Sequence, residues 1–214
     1  MSRSVAADGL KSLAIFGVVY IHASFLLGCN SEEIRQVFNE FFRFAVPVFV
    51  ICWAFFFERG WAKRDEAARW GYLREKFLYL FRVYLIWSVF YFFLLVNWDT
   101  ITPRKVLTTH FMGYGWSGQY YFIILFQLML LFPLIRWVYN HKVWQKVAIG
   151  LMVGFALLYS YRYAVLPPIV TKIGSLPFAY WVTYVFAGIA IARTKDLRLP
   201  YWLAASLLLI PFEF

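Results

Sequence analysis

A lysine and a histidine stand out in the first apolar stretch of the chain. Lys11 and His22 share one face if this stretch is a helix, because eleven residues return to within about 20° of the starting direction. The helix would separate them by about 16 Å along its axis. Ionisable side chains are costly inside a membrane helix and mark candidate functional sites. His22 could therefore act as a base at one end of a channel, and Lys11 as a cation at the other end.

Structural roles explain the same residues equally well. His22 could simply hydrogen-bond a neighbouring helix, and Lys11 could lay its stem on apolar surface while its ammonium reaches lipid headgroups. Asp8, three residues before Lys11, could pair with it or cap the first helix, and capping is slightly favoured. Spacing alone leaves these alternatives open.

Long apolar stretches must position these residues. The 214 residues are 63% hydrophobic, 23% aromatic and only 15% charged, which is unlike a soluble domain. The stretches lack the alternation of lipid-facing strands, so helices are expected. We predict an all-α, polytopic transmembrane helical bundle that forms one domain over residues 1–214. Full spans of about 20 residues are predicted at 10–28, 41–57, 77–96, 120–139, 145–163 and 173–192.

The last apolar stretch and the basic residues complete the predicted topology. Residues 200–214 are shorter than a full span, so they predict a seventh helix that is incomplete at the C-terminus. Fourteen of the 21 Lys and Arg residues fall on the side of the N-terminus and six on the other, with Arg82 inside a span. Basic loops favour the cytoplasmic side, which predicts a cytoplasmic N-terminus. The net charge of +10 therefore needs no nucleic-acid partner.

Patterns for metal or nucleotide binding are absent from the sequence. Cys29 and Cys52 have neither metal-ligand spacing nor the arrangement of a disulfide framework. There is no Gly-rich phosphate loop, no histidine pair at ligand spacing and no nucleophile elbow. We expect no metal, and any chemistry must come from isolated polar residues in the spans. Gln119 and Gln127 are expected to hydrogen-bond across the bundle.

Several segments resemble the membrane acyltransferase-3 family, in the family's own order. The run from Asp8 through Leu10 and Lys11, followed ten residues later by His22, is similar to the opening signature, where the basic residue is usually arginine. Cys52 and Trp53 stand where members tend to have Ser-Gly. The other similar segments are Arg43–Phe49, Tyr84–Ser88, Gln119–Phe122, Leu131–Pro133 and Tyr184–Gly188.

The resemblance implies an acyl-transfer reaction. Members of this family move an acyl group, commonly acetyl from acetyl-CoA or another acyl-CoA, to a hydroxyl of a glycan or related cell-envelope molecule. His22 would be the general base, since the unperturbed pKa of histidine, about 6.5, suits that role. Arg43 would stabilise the oxyanion formed on the thioester. Lys11, Lys76 and Arg82 would hold the phosphates of CoA at the cytoplasmic side. The alternatives are that Arg43 is an interfacial anchor, that Lys76 is solvated or faces lipid headgroups, and that Arg82 extends its stem to the interface.

The expected surroundings are a lipid bilayer, an acyl-CoA and an envelope glycan or lipid-linked acceptor. The resemblance indicates a multi-pass protein of the bacterial cytoplasmic membrane. One alternative is a transporter or flippase for lipid-linked or polysaccharide substrates, in which His22 relays protons or binds substrate. Against it, the sequence has no internal repeat. A non-catalytic membrane scaffold is the third interpretation.

Overall fold

The computed structural model describes residues 5–27, 42, 44–99, 101–107, 111–113, 115–116, 118–160 and 177–194. All structural statements below concern these residues. They form helices and turns with no strand, which confirms the all-α prediction. Short turns of helix lie at Pro103–Lys105 and, as a 3₁₀ turn, at Phe178–Tyr180. The longer helices are α1 (Val5–Leu27), α2 (Ala45–Ala62), α3 (Glu66–Leu95), α4 (Gln119–Asn140), α5 (Lys142–Ser160) and α6 (Val182–Arg193).

Each predicted span overlaps one of these helices, and two of the boundaries differ most. Helix α3 begins at Glu66, well before residue 77, because the side chain of Asp65 caps it by accepting from the backbone N–H of Ala68 at 2.8 Å. The added turns are polar, so hydropathy alone did not include them. Helix α6 begins at Val182, after the 3₁₀ turn that follows Pro177. The predicted seventh helix lies outside the described residues.

Three of the helices are long and apolar enough to cross a membrane. They are α2, α3 and α4, judged by length and composition within the described part of the chain. Two shorter apolar stretches of helix are Lys11–Ala23, which lies within α1, and Val182–Arg193, which is α6. The structure thus supports a membrane helix bundle, while the count of six spans and the orientation of the N-terminus stay predictions.

The centre of the bundle is formed by α2, α4 and α6, and α1 packs against the outer side of α2. Burial of apolar side chains between the three central helices forms one continuous core. A smaller cluster between α1 and α2 contains Ala14, Phe42 and Cys52. The main core includes Val50, Ala54, Phe57, Ile124, Leu128, Phe132, Val185 and Ile189.

Helices α2 and α6 approach one another closely at Gly188. A Cβ atom built on Gly188 would lie 2.6 Å from both the Ala54 Cβ and the Ile51 carbonyl oxygen. Small residues allow this kind of close approach between membrane helices. The family's usual Ser-Gly position holds Cys52 and Trp53 here, and the close contact uses Ala54 instead.

Helix α3 lies at the edge of the bundle and leaves much apolar surface uncovered. Ile86, Phe90, Phe93 and Leu94 are among its exposed side chains. Tyr84 and Ser88, in contrast, are buried against α4. An apolar outer surface of this size suits a lipid environment rather than water.

Ring and ion contacts give the helices a common register. Lys11 of α1 lies over Phe56, near the C-terminal end of α2, so α1 and α2 are antiparallel. Helices α2 and α4 are parallel, since Phe49 packs on Tyr121 and Phe57 on Phe132. The bundle therefore has two distinct ends. We name them the Glu58 end, where α2, α4 and α6 finish, and the Gln119 end, where they begin.

Candidate functional site

His22 lies toward the Gln119 end and is half-buried. Two residues earlier, the ring of Tyr20 packs on Phe42 with centroids 5.3 Å apart, so this part of α1 is level with the start of α2. The described residues include no hydrogen-bond partner for the imidazole. A neutral imidazole has one donor and one acceptor nitrogen with which it can contact a ligand.

Lys11 lies at the other end of α1. Its Nζ atom is 4.2 Å from the centroid of the Phe56 ring and 3.9 Å from Oδ1 of Asp8. Helix α1 already includes Val5, so Asp8 lies inside the helix and is not its N-cap residue. The favoured capping interpretation of Asp8 is therefore wrong, and the carboxylate pairs with Lys11 one turn along the helix.

Lys76 and Arg82 lie on α3, and each has surroundings different from those of Lys11. Lys76 is 44% exposed, contacts Oε1 of Glu75 at 3.0 Å and lies 5.6 Å from the ring centroid of Tyr72. Arg82 is exposed midway along the bundle. Within the described ranges, Lys11, Lys76 and Arg82 share no common partner, so their joint role in cofactor binding stays a prediction. Arg43 lies outside the described residues.

A buried ion cluster at the Glu58 end was missed by sequence reasoning. Glu58 is 2% exposed, and the Nε atom of Arg136 donates to its Oε2 and Oε1 atoms at 2.9 and 3.2 Å. Arg193 donates to the same Oε1 from Nε and Nη2, both at 2.8 Å. Arg193 Nη1 also donates to Oδ1 of Asn140 at 2.7 Å. We call Glu58, Arg136, Arg193 and Asn140 the Glu58 cluster.

The Glu58 cluster ties together the ends of the three central helices. Buried charges are costly unless they are paired and hydrogen-bonded, and here one carboxylate has two guanidinium partners. One feature of the sequence could have indicated this cluster, because the carboxylate directly follows three consecutive phenylalanines, Phe55–Phe57. Such a residue is expected to seek a cation from another helix, but counting Arg136 and Arg193 only as loop charges concealed the pairing.

A neutral polar cluster occupies the Gln119 end. Ser88 and Gln119 are fully buried, and Gln119 Nε2 donates to Ser88 Oγ at 2.9 Å. The backbone N–H of Gly115 donates to Gln119 Oε1 at 2.7 Å, and Trp116 Nε1 donates to Ser88 Oγ at 3.4 Å. We call these four residues the Gln119 cluster. It confirms that Gln119 hydrogen-bonds across the bundle, from α4 to α3.

Segments that resemble the acyltransferase-3 family meet one another in space. Tyr84 and Ser88 come from one such segment, and Gln119 and Phe122 come from the next. Besides the Ser88–Gln119 hydrogen bond, the rings of Tyr84 and Phe122 have centroids 5.9 Å apart. Gln127, one turn beyond Ile123, also bonds across the bundle, because its Oε1 atom accepts a hydrogen bond from the backbone N–H of Phe178 at 3.2 Å. The motifs therefore build one connected structure.

Metal ligation finds no support in the described ranges, where no three His, Cys, Asp or Glu side chains are close enough to hold an ion. The chemistry on offer is that of a half-buried imidazole, exposed ammonium and guanidinium groups, and two buried hydrogen-bonded clusters. A helical membrane protein with these groups at opposite ends can hold an anionic ligand at one end and a proton acceptor at the other.

Comparison with protein families places the chain in a known class of enzyme. The acyltransferase-3 profile, described as an acyltransferase domain, matches residues 4–212. The chain belongs to this family and is a membrane acyltransferase. No curated protein and no solved structure matches it.

Proposed function

We propose that this acyltransferase moves an acetyl group from acetyl-CoA to a hydroxyl group of a cell-envelope glycan or a related molecule. The observation that supports the proposal most is the separation of two ionisable residues along α1. Lys11 contacts Phe56 toward the Glu58 end, and the half-buried His22 lies toward the Gln119 end. A cation and a base are thus offered to different parts of one extended substrate.

His22 is the proposed general base. Its imidazole takes the proton of the acceptor hydroxyl while that oxygen attacks the carbonyl carbon of the thioester. The carbon–sulfur bond breaks, the acetyl group stays on the acceptor oxygen and the CoA thiolate leaves. The proton then passes from His22 to the thiolate, so the imidazole is neutral again for the next cycle. Arg43 is the proposed cation beside the oxyanion.

The acetyl-CoA donor is proposed to enter from the Glu58 end. Phosphates cannot enter hydrocarbon, so they stay near cations while the slender pantetheine arm extends toward His22. Lys11, Lys76 and Arg82 are the proposed partners of these phosphates. The helix rise of about 16 Å between Lys11 and His22 is the distance over which the arm would extend.

The proposed orientation places the Glu58 end and the N-terminus in the cytoplasm of a bacterium, with the protein crossing the membrane several times. Support comes from the last turn of α2, the connection to α3 and the first part of α3, which are rich in basic residues. Positive charge on the cytoplasmic side is the general rule for membrane proteins. The residues concerned are Arg59, Lys63, Arg64, Arg69, Arg74 and Lys76.

Acetyl transfer from radiolabelled acetyl-CoA tests the proposal directly. Membranes that contain the chain should incorporate label into envelope glycan or lipid, and His22→Ala should lower the rate by about 10²- to 10⁴-fold, the usual effect of a general base. His141→Ala is the matched control, because His141 is exposed and hydrogen-bonds only within its own turn, at Trp137 O. The control should retain the wild-type rate.

The same experiment separates the enzyme from its main rival. Full activity in His22→Ala would rule out the proposed base while leaving the transferase in place. An absence of label in every sample, together with altered glycan export when the gene is deleted, would instead favour a transporter or flippase.

A further inference from the structure

Arg136 keeps most of its hydrogen-bonding capacity unused. Only its Nε atom donates to Glu58, and no described residue accepts a hydrogen bond from Nη1 or Nη2. The side chain is nevertheless 24% exposed, so Arg136 adjoins the surface of the bundle. A guanidinium offers its two-pronged edge best to carboxylates and phosphates.

The balance of charge in the Glu58 cluster also favours an anionic ligand. One buried carboxylate faces two guanidinium groups, which leaves an excess positive charge beside the core. The C-terminal ends of α2, α4 and α6 oppose this excess, since each carries about half a negative charge, but the basic side chains of Arg59 and Lys63 at the same end add to it. Arg193 is 35% exposed, so both cations adjoin the surface of the bundle.

Glu58 fixes the two cations side by side. Arg136 and Arg193 both contact its Oε1 atom, and they come from different helices. Without the carboxylate the guanidinium groups would repel each other. Glu58 is therefore a positioning residue, whereas the arginines carry the free N–H groups.

We infer that Arg136 and Arg193, held together by Glu58, form a binding site for a phosphate group at the Glu58 end. The phosphate belongs either to CoA or to the headgroup of an anionic phospholipid, which present the same chemistry. The CoA assignment rests on the proposed function and adds these arginines to its donor site. The phospholipid assignment is independent of it.

Binding by the purified full chain tests the site without any turnover. CoA is titrated in detergent, and the retention of phosphatidylglycerol is measured by mass spectrometry after reconstitution in mixed phosphatidylcholine and phosphatidylglycerol vesicles. Arg136→Gln removes the charge, and Arg136→Lys keeps it without the fork. Arg74→Gln is the matched control, since Arg74 is an exposed cation on the basic first part of α3.

A phosphate site predicts at least a 10-fold loss for Arg136→Gln, from one charge-assisted hydrogen bond, and a smaller loss for Arg136→Lys. Arg74→Gln should change binding less than twofold. Weaker CoA binding identifies the donor as the source, and weaker phosphatidylglycerol retention identifies the lipid. Equal binding of both probes by folded wild type, Arg136→Gln and Arg136→Lys would overturn the inference and leave a simple helix clamp. A wild-type chain that binds these phosphates through Arg136 but transfers no acetyl group would count against the proposed function alone.

Discussion

The two ends of the bundle hold buried polar groups of opposite kinds. The Glu58 cluster is ionic and joins the ends of three helices, whereas the Gln119 cluster is neutral and joins α4 to α3 and to the residues just before α4. A buried charge that loses its partner is far more costly than a buried hydroxyl or amide that does. The Glu58 end should therefore respond more strongly to substitution, and its excess positive charge suits an anionic ligand.

The largest expected effect is at Glu58 itself. Glu58→Gln leaves two partly exposed guanidinium groups without their counter-charge and should lower the free energy of unfolding by about 3 kcal/mol, the lower end for a broken buried pair, because the arginines keep some contact with water. The midpoint of thermal unfolding in detergent measures the change. Glu75→Gln is the control, because Glu75 forms an exposed pair with Lys76 worth at most about 1 kcal/mol. Equal shifts for the two variants would contradict the comparison.

A second test changes the packing that brings Arg193 to Glu58. Gly188→Ala forces a Cβ against Ala54 and Ile51 of α2 and should cost about 1–3 kcal/mol of unfolding free energy. Gly150→Ala is the matched substitution, since nothing lies within 4 Å of the added methyl. It should stabilise α5 by about 0.5–1 kcal/mol, because alanine favours helix more than glycine does. An equal decrease in the midpoint of thermal unfolding for Gly188→Ala and Gly150→Ala would rule out close packing as the cause.

The neutral cluster should show a smaller effect and a strong coupling. Ser88→Ala removes the acceptor for Gln119 Nε2 and should cost about 1–3 kcal/mol. The double variant with Ser88→Ala and Gln119→Leu should lose less unfolding free energy than the sum of the two single losses, because either substitution alone breaks the shared hydrogen bond. A double-mutant cycle of unfolding free energies measures this coupling. Simple additivity would show that the two side chains act independently.

The smallest effect on stability is expected at Lys76. Its exposed pair with Glu75 contributes at most about 1 kcal/mol, so Lys76→Gln should leave thermal unfolding almost unchanged. If Lys76 binds the donor as proposed, the KM for acetyl-CoA should rise while kcat stays the same. Lys142→Gln is the control, because Lys142 is an exposed cation two residues after Asn140 at the Glu58 end. This substitution should change neither KM nor kcat. An unchanged KM in both would remove Lys76 from the donor site.

Sequence reasoning succeeded where the determining interactions are local. Apolar runs predicted the helices, and eleven-residue spacing put Lys11 and His22 toward opposite ends of α1, since both depend on residues near in sequence. Asp8 was misassigned because α1 already includes Val5, which places Asp8 inside the helix. The polar start of α3 was missed because the Asp65 cap, not hydropathy, begins that helix.

The Glu58 cluster could not be predicted in the same way. Its partners lie 78 and 135 residues away from Glu58 along the chain, and only the packing of α2, α4 and α6 brings them together. The approach at Gly188 is similar, because a single glycine in an apolar run does not reveal which helix it faces. These contacts depend on tertiary packing rather than on local pattern.

The length of α3 has a consequence for the depth of the protein in its bilayer. Its 30 residues are about 45 Å long, whereas the hydrocarbon core is about 30 Å thick. The stretch from Phe77 to the end of the helix matches that thickness, so the charged turns before it would stand among the headgroups. Arg82 would then lie about 8 Å below the surface, within reach of its long stem. Matching of this apolar stretch to the bilayer would therefore set the depth of α3 at Phe77, and lipids with shorter acyl chains would bring Arg82 closer to water.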